Sequence, residues 1–237
     1  MPTAHLKVPA SRSVSGLMLR AVFAISFPVI LGCGGETTGS EYLALGASDT
    51  TGIGAEPLKE GYVFQIERDL TDLGEDVVLQ NLGIPGATAD EIEDEELGFA
   101  EILDPPELVT LWTGSNDVVR GRTVEEFEGD LRGIFSKIND IKSDTTVVVV
   151  ASVPNLTALP RFVAEPDPNV TVARIAAFNA AIKRQGDAAG AIVLDLFSEP
   201  IDSFLVSDDG FHPNNAGHER VADLFMAAIQ PTLPLGD

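Results

Sequence analysis

Cysteine is almost missing: Cys33 is the only one in 237 residues, so no internal disulfide can form. Basic residues are also scarce, with 15 Lys and Arg against 37 Asp and Glu, a formal net charge of -22. That balance argues against nucleic acid as a partner, because phosphate binding needs a basic stripe. It disfavours direct docking on anionic lipid headgroups for the same reason. The Gly-rich stretch Ser48–Gly54 lacks both the Gly-Lys-Ser/Thr of a phosphate loop and the spacing of a dinucleotide fingerprint, which argues against a nucleotide or flavin module. No internal repeat, low-complexity tract or second composition shift follows Ser40. What is present, 44% hydrophobic and 22% charged residues, is the balance of a folded domain with enough chain to bury a core.

Residues 1–32 differ from the rest. They carry Lys7, Arg12 and Arg20 and no acidic residue, followed by the apolar run Ala21–Leu31 and then Gly32-Cys33. Ser26 and Pro28 interrupt that run, and a bilayer span needs roughly 17–25 apolar residues. A basic start, a short apolar stretch and a small residue read as a secretory signal. Ile30-Leu31-Gly32-Cys33 resembles the bacterial lipobox, in which the cysteine is lipidated and becomes the mature N-terminus. Leu31 is bulkier than the Ala or Ser usual there, and the competing account is a small buried cysteine after an ordinary helix. The expectation is a signal over 1–32, a flexible linker over 33–40 and a domain over 41–237, lipid-anchored at Cys33 outside the cytoplasm or, alternatively, secreted. Loss of the signal removes three positive charges from a chain at -22 and leaves it at -25.

From Glu41 onward, short apolar runs alternate with longer amphipathic stretches. Tyr42–Leu45, Val77–Leu82, Leu108–Trp112, Val147–Val153 and Ala191–Leu196 read as buried strands. Between and after them, helices are expected over 57–72, 88–103, 123–142, 170–188 and 214–230. Thr88 with Glu91 and Thr123 with Glu126 have capping-box spacing. Strands joined through helices imply a parallel five-stranded α/β sheet covered on both faces, in a single domain. Ligands in such folds bind beyond the carboxyl ends of the strands.

Four loops at those ends carry suitable chemistry. After the first strand, Ser48 sits in a Gly-rich turn where a hydroxyl can project with backbone amides nearby, although serine in a turn is most often a turn former. After the second, Gly86 precedes a helix start, so it either offers an amide to an anion or simply supplies a positive φ. After the third, Asn116 brings two amide donors without charge, suited to a developing oxyanion. In the last loop, Asp209 and His212 lie three residues apart, close enough for the carboxylate to orient the imidazole as a general base. Only three histidines occur, and His5 belongs to the signal segment. His218, inside the last expected helix, reads as a capping or packing residue. With the two domain histidines six positions apart, not on one helical face at i,i+4, and no cysteine in the domain, the case for a metal is weak.

Taken together, Gly46-Ala47-Ser48, Gly86, Gly114-Ser115-Asn116-Asp117 and Asp209-Gly210-Phe211-His212-Pro213 resemble, in order, the four signature blocks of the SGNH (GDSL-type) hydrolase family. The resemblance implies a flavodoxin-like three-layer α/β/α sandwich and serine esterase chemistry without a cofactor. It carries the catalytic triad to Ser48, Asp209 and His212, and the oxyanion donors to the Ser48 and Gly86 amides and the Asn116 side chain. The implied partner is a small-molecule, lipid or glycan ester. Ala47 departs from the family's Gly-Asp-Ser, which leaves a non-catalytic surface binding protein on the same fold as the alternative. Two further features stay open. Pro154–Asn169, with Leu156, Leu159, Phe162 and Val163, either walls an acyl pocket or covers the sheet edge. Asn179 is expected to face inward and tie down a loop.

Overall fold

The structure is a computed structural model that describes residues 39–232. The signal segment and Cys33 lie outside the described residues. Five strands, β1 (Ser40–Gly46), β2 (Val77–Asn81), β3 (Leu108–Trp112), β4 (Val147–Ala151) and β5 (Ile192–Leu194), form one parallel sheet in the order β2-β1-β3-β4-β5. The order reverses between β1 and β3, whose ends pair Gly46 with Trp112. Such a reversal opens a crevice at the carboxyl ends of those two strands.

Alternation along each strand divides the core in two. Leu43, Leu45, Val109, Leu111, Val148 and Val150 face one side, against the helices α5 (Val124–Ile141) and α7 (Val172–Ala189). Tyr42, Ala44, Leu108, Trp112, Val149 and Ala151 face the other, against α1 (Tyr62–Asp72) and α8 (Asn215–Ile229). The helices present matching stripes at 3.6-residue spacing, such as Phe127, Leu131, Ile134 and Ile138 on α5. Each large side chain so buried is worth about 1.5–3 kcal/mol in transfer free energy. The three-layer sandwich is therefore written in the strand periodicity. Among the described residues, no helix is long and apolar enough to cross a membrane.

Several boundaries differ from expectation for local reasons. The helix expected over 57–72 is a 3₁₀ turn, Leu58–Glu60, and then α1. Gly61 separates them in extended conformation, packed so tightly on Gly52 that a Cβ there would lie 2.5 Å from the Gly52 Cα. The helix expected over 88–103 is α2 (Ala89–Glu91), a π-helical turn (Ile92–Glu96) and α3 (Leu97–Ala100). After β3 a short helix, α4 (Ser115–Val119), begins at Gly114. β4 stops at Ala151 because the following residues bond sideways: Ser152 Oγ accepts from the Leu196 and Phe197 amides, at 2.8 and 3.1 Å. Val153 exchanges two hydrogen bonds with the Asn179 side chain, at 2.8 and 2.9 Å, so Asn179 does tie down this loop.

The segment after β4 walls a cavity and packs into the core. It forms a 3₁₀ turn (Leu156–Ala158) and α6 (Pro160–Ala164). Leu156 and Leu159 line a cavity, Phe162 packs edge-on against Phe211, and Val163 is exposed. His218 packs inside the fold: it accepts from the Tyr62 amide at Nδ1, donates from Nε2 to the Ile53 carbonyl, and stacks on the Tyr62 ring. Burial holds its pKa below the usual imidazole value.

Candidate active site

β1 ends at Gly46, whose φ of +146° and crowded surroundings admit no side chain; a Cβ there would lie 2.4 Å from both Thr50 Oγ1 and the Trp112 carbonyl. The chain then turns sharply, with the Thr51 amide bonding back to the Ala47 carbonyl and the Ile53 amide to that of Ser48. This turn holds Ser48, only 6% exposed, at the carboxyl end of the sheet. Its Oγ lies 2.9 Å from His212 Nε2, across 164 residues of sequence. His212 Nδ1 lies 2.5 Å from Asp209 Oδ2. The structure thus brings Ser48, His212 and Asp209 into one hydrogen-bonded line.

Asp209 is fixed in turn by donors from its own loop. The Phe211 and His212 amides reach its Oδ1 at 2.8 and 3.0 Å, and the Ser207 hydroxyl at 2.7 Å. Burial alone would raise its pKa, but the bonds from His212, Phe211 and Ser207 outweigh that and hold the carboxyl far below its ordinary value. The orienting group is therefore an anion throughout the physiological range. With Nδ1–H donated to it, Nε2 is left to accept from the Ser48 hydroxyl.

The three candidate oxyanion donors come from the loops after β1, β2 and β3. Neither the Ser48 nor the Gly86 N–H donates to an acceptor among the described residues. Gly86 has a φ of +83°, so the positive angle is itself a reason for glycine there. Asn116 Nδ2 donates to the Ala87 carbonyl at 2.9 Å, which fixes its amide beside the Ala87–Thr88 peptide and leaves its second N–H. Asp117, fully buried, accepts from the Ala89 amide with both oxygens and faces Arg122 at 3.6 Å. It thereby links the loop after β3 to the start of α2.

Three groups of the site escape sequence reading. Asp117 stands in a quoted motif yet carries no signal of its anchoring role. Asp49, next to Ser48, lines an apolar cavity of about 100 Å³ walled by Trp112, Leu156, Leu159, Leu205, Phe211 and Leu224. Glu96, 2% exposed, accepts from the Gly46 amide at 2.9 Å and the Ile84 amide at 3.2 Å. It stands in an acidic run that reads as a solvated face. Among the described residues, the one group of carboxylates close enough together for a cation is Asp90, Asp117 and Asp130. The Arg122 guanidinium, paired with all three, already occupies the centre of that group and offsets part of its charge.

Burial pushes Asp49 up to about 6 despite the nearby His212, lifts Asp117 to about 6 despite its bonds from Ala89, and raises Glu96 well above the usual carboxylate value. Between the ordinary carboxylate value of about 4 and about 6, the folded chain thus holds protons that the unfolded chain has released. Stability is expected to rise as pH falls from 7.5 to 5. His218 opposes within this window, because below about 6.5 the unfolded chain takes up a proton that the buried imidazole resists, but it is one group against three. The carboxylates with lowered values, Asp209, Asp90, Glu91, Glu126, Glu128 and Asp195, lose their contribution only below about 4. Thermal melts at the two pH values check this; a lower Tm at pH 5 contradicts it.

Comparison with known proteins gives the family and the fold. The model of the GDSL-like Lipase/Acylhydrolase family matches residues 44–220. The spore germination lipase LipC of Bacillus licheniformis is 25% identical over 209 residues, covering 79% of this chain and 95% of that protein. The fold is shared with the psychrotrophic esterase EstA of Pseudoalteromonas sp., at a TM-score of 0.66 and 20% identity over 81% of this chain and 97% of that one. The lipase/acylhydrolase of Enterococcus faecalis has a TM-score of 0.66 at 23% identity, covering 84% and 99% of the two chains. The acetylxylan esterase Axe2 of Geobacillus stearothermophilus gives 0.63 at 19%, covering 81% and 95%. With three quarters of its length matched from the first strand to the last helix, this chain belongs to the GDSL-like lipase/acylhydrolase family of ester hydrolases.

Proposed function

We propose that this hydrolase cleaves carboxylic esters with an apolar acyl group through an acyl-enzyme on Ser48. His212 Nε2 takes the hydroxyl proton as Ser48 Oγ attacks the ester carbonyl, and the Ser48 and Gly86 amides with the free Asn116 N–H stabilise the oxyanion. As the carbonyl re-forms, the bond to the alkoxy oxygen breaks, and His212 returns the proton to the departing alcohol. Water then attacks the acyl carbonyl with His212 again as base; the acyl–Oγ bond breaks, His212 gives its proton to Ser48 Oγ, and the carboxylic acid departs. Asp209 holds the imidazole and balances its charge without taking the proton. The observation that carries this reading is the 2.9 Å approach of Ser48 Oγ to an imidazole already anchored by a carboxylate.

The apolar cavity supports the choice of acyl group. Ser115, Phe211 and Pro213 line it together with Asp49, so it abuts the neighbours of Asn116, His212 and Ser48. Its mostly aliphatic and aromatic wall suits a hydrocarbon chain, with few polar groups to satisfy. The neighbours add two pointers: one is described as inhibited by monoethylphosphonate, another as a lipase. A fluorophosphonate, which acylation-competent serines attack at phosphorus, is the direct test. Labelling of the folded protein at Ser48 is expected, and its absence overturns the reading.

For location, we propose export and lipid anchoring at Cys33. The basic start, the short apolar run and the sole cysteine at its end support this. Two acyl chains suffice for stable anchoring where one does not. In a bacterial host, Cys33→Ser is expected to move the protein from the membrane to the soluble fraction; unchanged membrane association contradicts the anchor.

A further inference from the structure

Glu96 is a long side chain spent on an interior position. The π-helical turn Ile92–Glu96 inserts an extra residue between α2 and α3, so that Ile92, Glu96 and Leu97 all point inward. Two carboxylate oxygens then reach two different loops. Oε2 accepts from the Gly46 amide, two residues before Ser48, and Oε1 from the Ile84 amide, two residues before Gly86. The Ile84 amide also bonds the Gly46 carbonyl at 3.0 Å, so the two loops meet where the carboxylate grips them. The family's carboxylate beside the serine is missing, since position 47 is a buried alanine. A carboxylate from another part of the chain now serves the same turn.

We propose that Glu96 is a positioning residue for ester hydrolysis, clamping the nucleophile turn against the Gly86 turn and thereby fixing the spacing of the two backbone donors that face the oxyanion. The proposal rests on the acyl-enzyme reading and adds to it a residue that never touches substrate. A carboxyl group suits the task because each oxygen keeps a lone pair for its amide, whether or not the group is ionised. Glutamine does not: its NH₂ must face one of the two N–H groups, and one bond is replaced by a repulsive contact. Aspartate keeps the carboxyl but is one methylene too short to hold both amides. Misplacement of reacting groups by about 1 Å costs on the order of 10²-fold in rate.

The test is the rate constant for fluorophosphonate labelling, together with kcat and KM on a p-nitrophenyl ester, in folded parent, Glu96→Gln and Glu95→Gln proteins. Glu95, its exposed neighbour, is the control. Glu96→Gln is expected to lower kcat and the labelling rate at least 10-fold with KM within about twofold, while Glu95→Gln matches the parent. If Glu96→Gln fails to fold, Glu96→Asp is read instead, with the same split between kcat and KM expected. Labelling of the folded variant at the parent rate overturns the clamp and leaves the acyl-enzyme reading standing. A parent that neither labels nor hydrolyses esters overturns both.

Discussion

Replacing Ser48 with alanine is expected to cut kcat on the order of 10⁶-fold and to abolish fluorophosphonate labelling. The size follows from what the substitution removes. Without Oγ there is no acyl-enzyme, and His212 can act only on water held in the emptied position. What survives is substrate binding and oxyanion stabilisation, worth a residual 10³–10⁴-fold over the uncatalysed reaction. Folding is expected to be unaffected, because Oγ has one partner, His212, and no part in the core. Unaltered circular dichroism with lost turnover is therefore the expected pair of results. A variant that still hydrolyses esters within tenfold of the parent assigns the chemistry to another group.

Asp209→Asn is the second large effect, about 10⁴-fold in kcat where the orienting acid of such a triad is neutralised. The carboxylate now accepts from His212 Nδ1 as well as from two amides and a hydroxyl. An asparagine can keep the Phe211 and His212 amides on its oxygen. Its NH₂ then faces Nδ1, which forces the imidazole proton onto Nε2 and leaves Ser48 without a base. Geometry survives while the tautomer is wrong. The Asp209 side chain is 46% exposed, so solvent softens the charge effect but not the tautomer effect. Steady-state kinetics should show kcat falling with KM little moved; a loss confined to KM contradicts this role for Asp209.

The fold was legible because its evidence is local. Val147–Ala151 is a continuous apolar run and Leu108–Trp112 is broken only by Thr110; both are short and β-branched or Leu-rich, as a strand covered on both faces is, and the intervening amphipathic stretches supply the covers. The segment 88–103 was less legible. An unbroken helix and a π-interrupted one share the same capping signal at Thr88, and only tertiary demand for an inward Glu96 separates them. The same holds for the loops. The order of the Ser48, Gly86, Asn116 and His212 motifs is readable, since strand ends in a parallel sheet share one edge. Asp49, Glu96 and Asp117 are not, because an acidic residue in so acidic a chain looks solvated until its neighbours are known.

Asp49 has one more consequence. Each cycle turns a neutral ester into an anion, formed beside a wall where Asp49 is ionised above about pH 6 and where Glu199 is already paired with Arg220. Like charges at that distance repel, and the surrounding protein carries a large excess of the same sign. On the proposed reaction, the freed acid is expected to be pushed outward by the field in which it is made, so that end-product inhibition should be weaker at neutral pH than in an acidified medium.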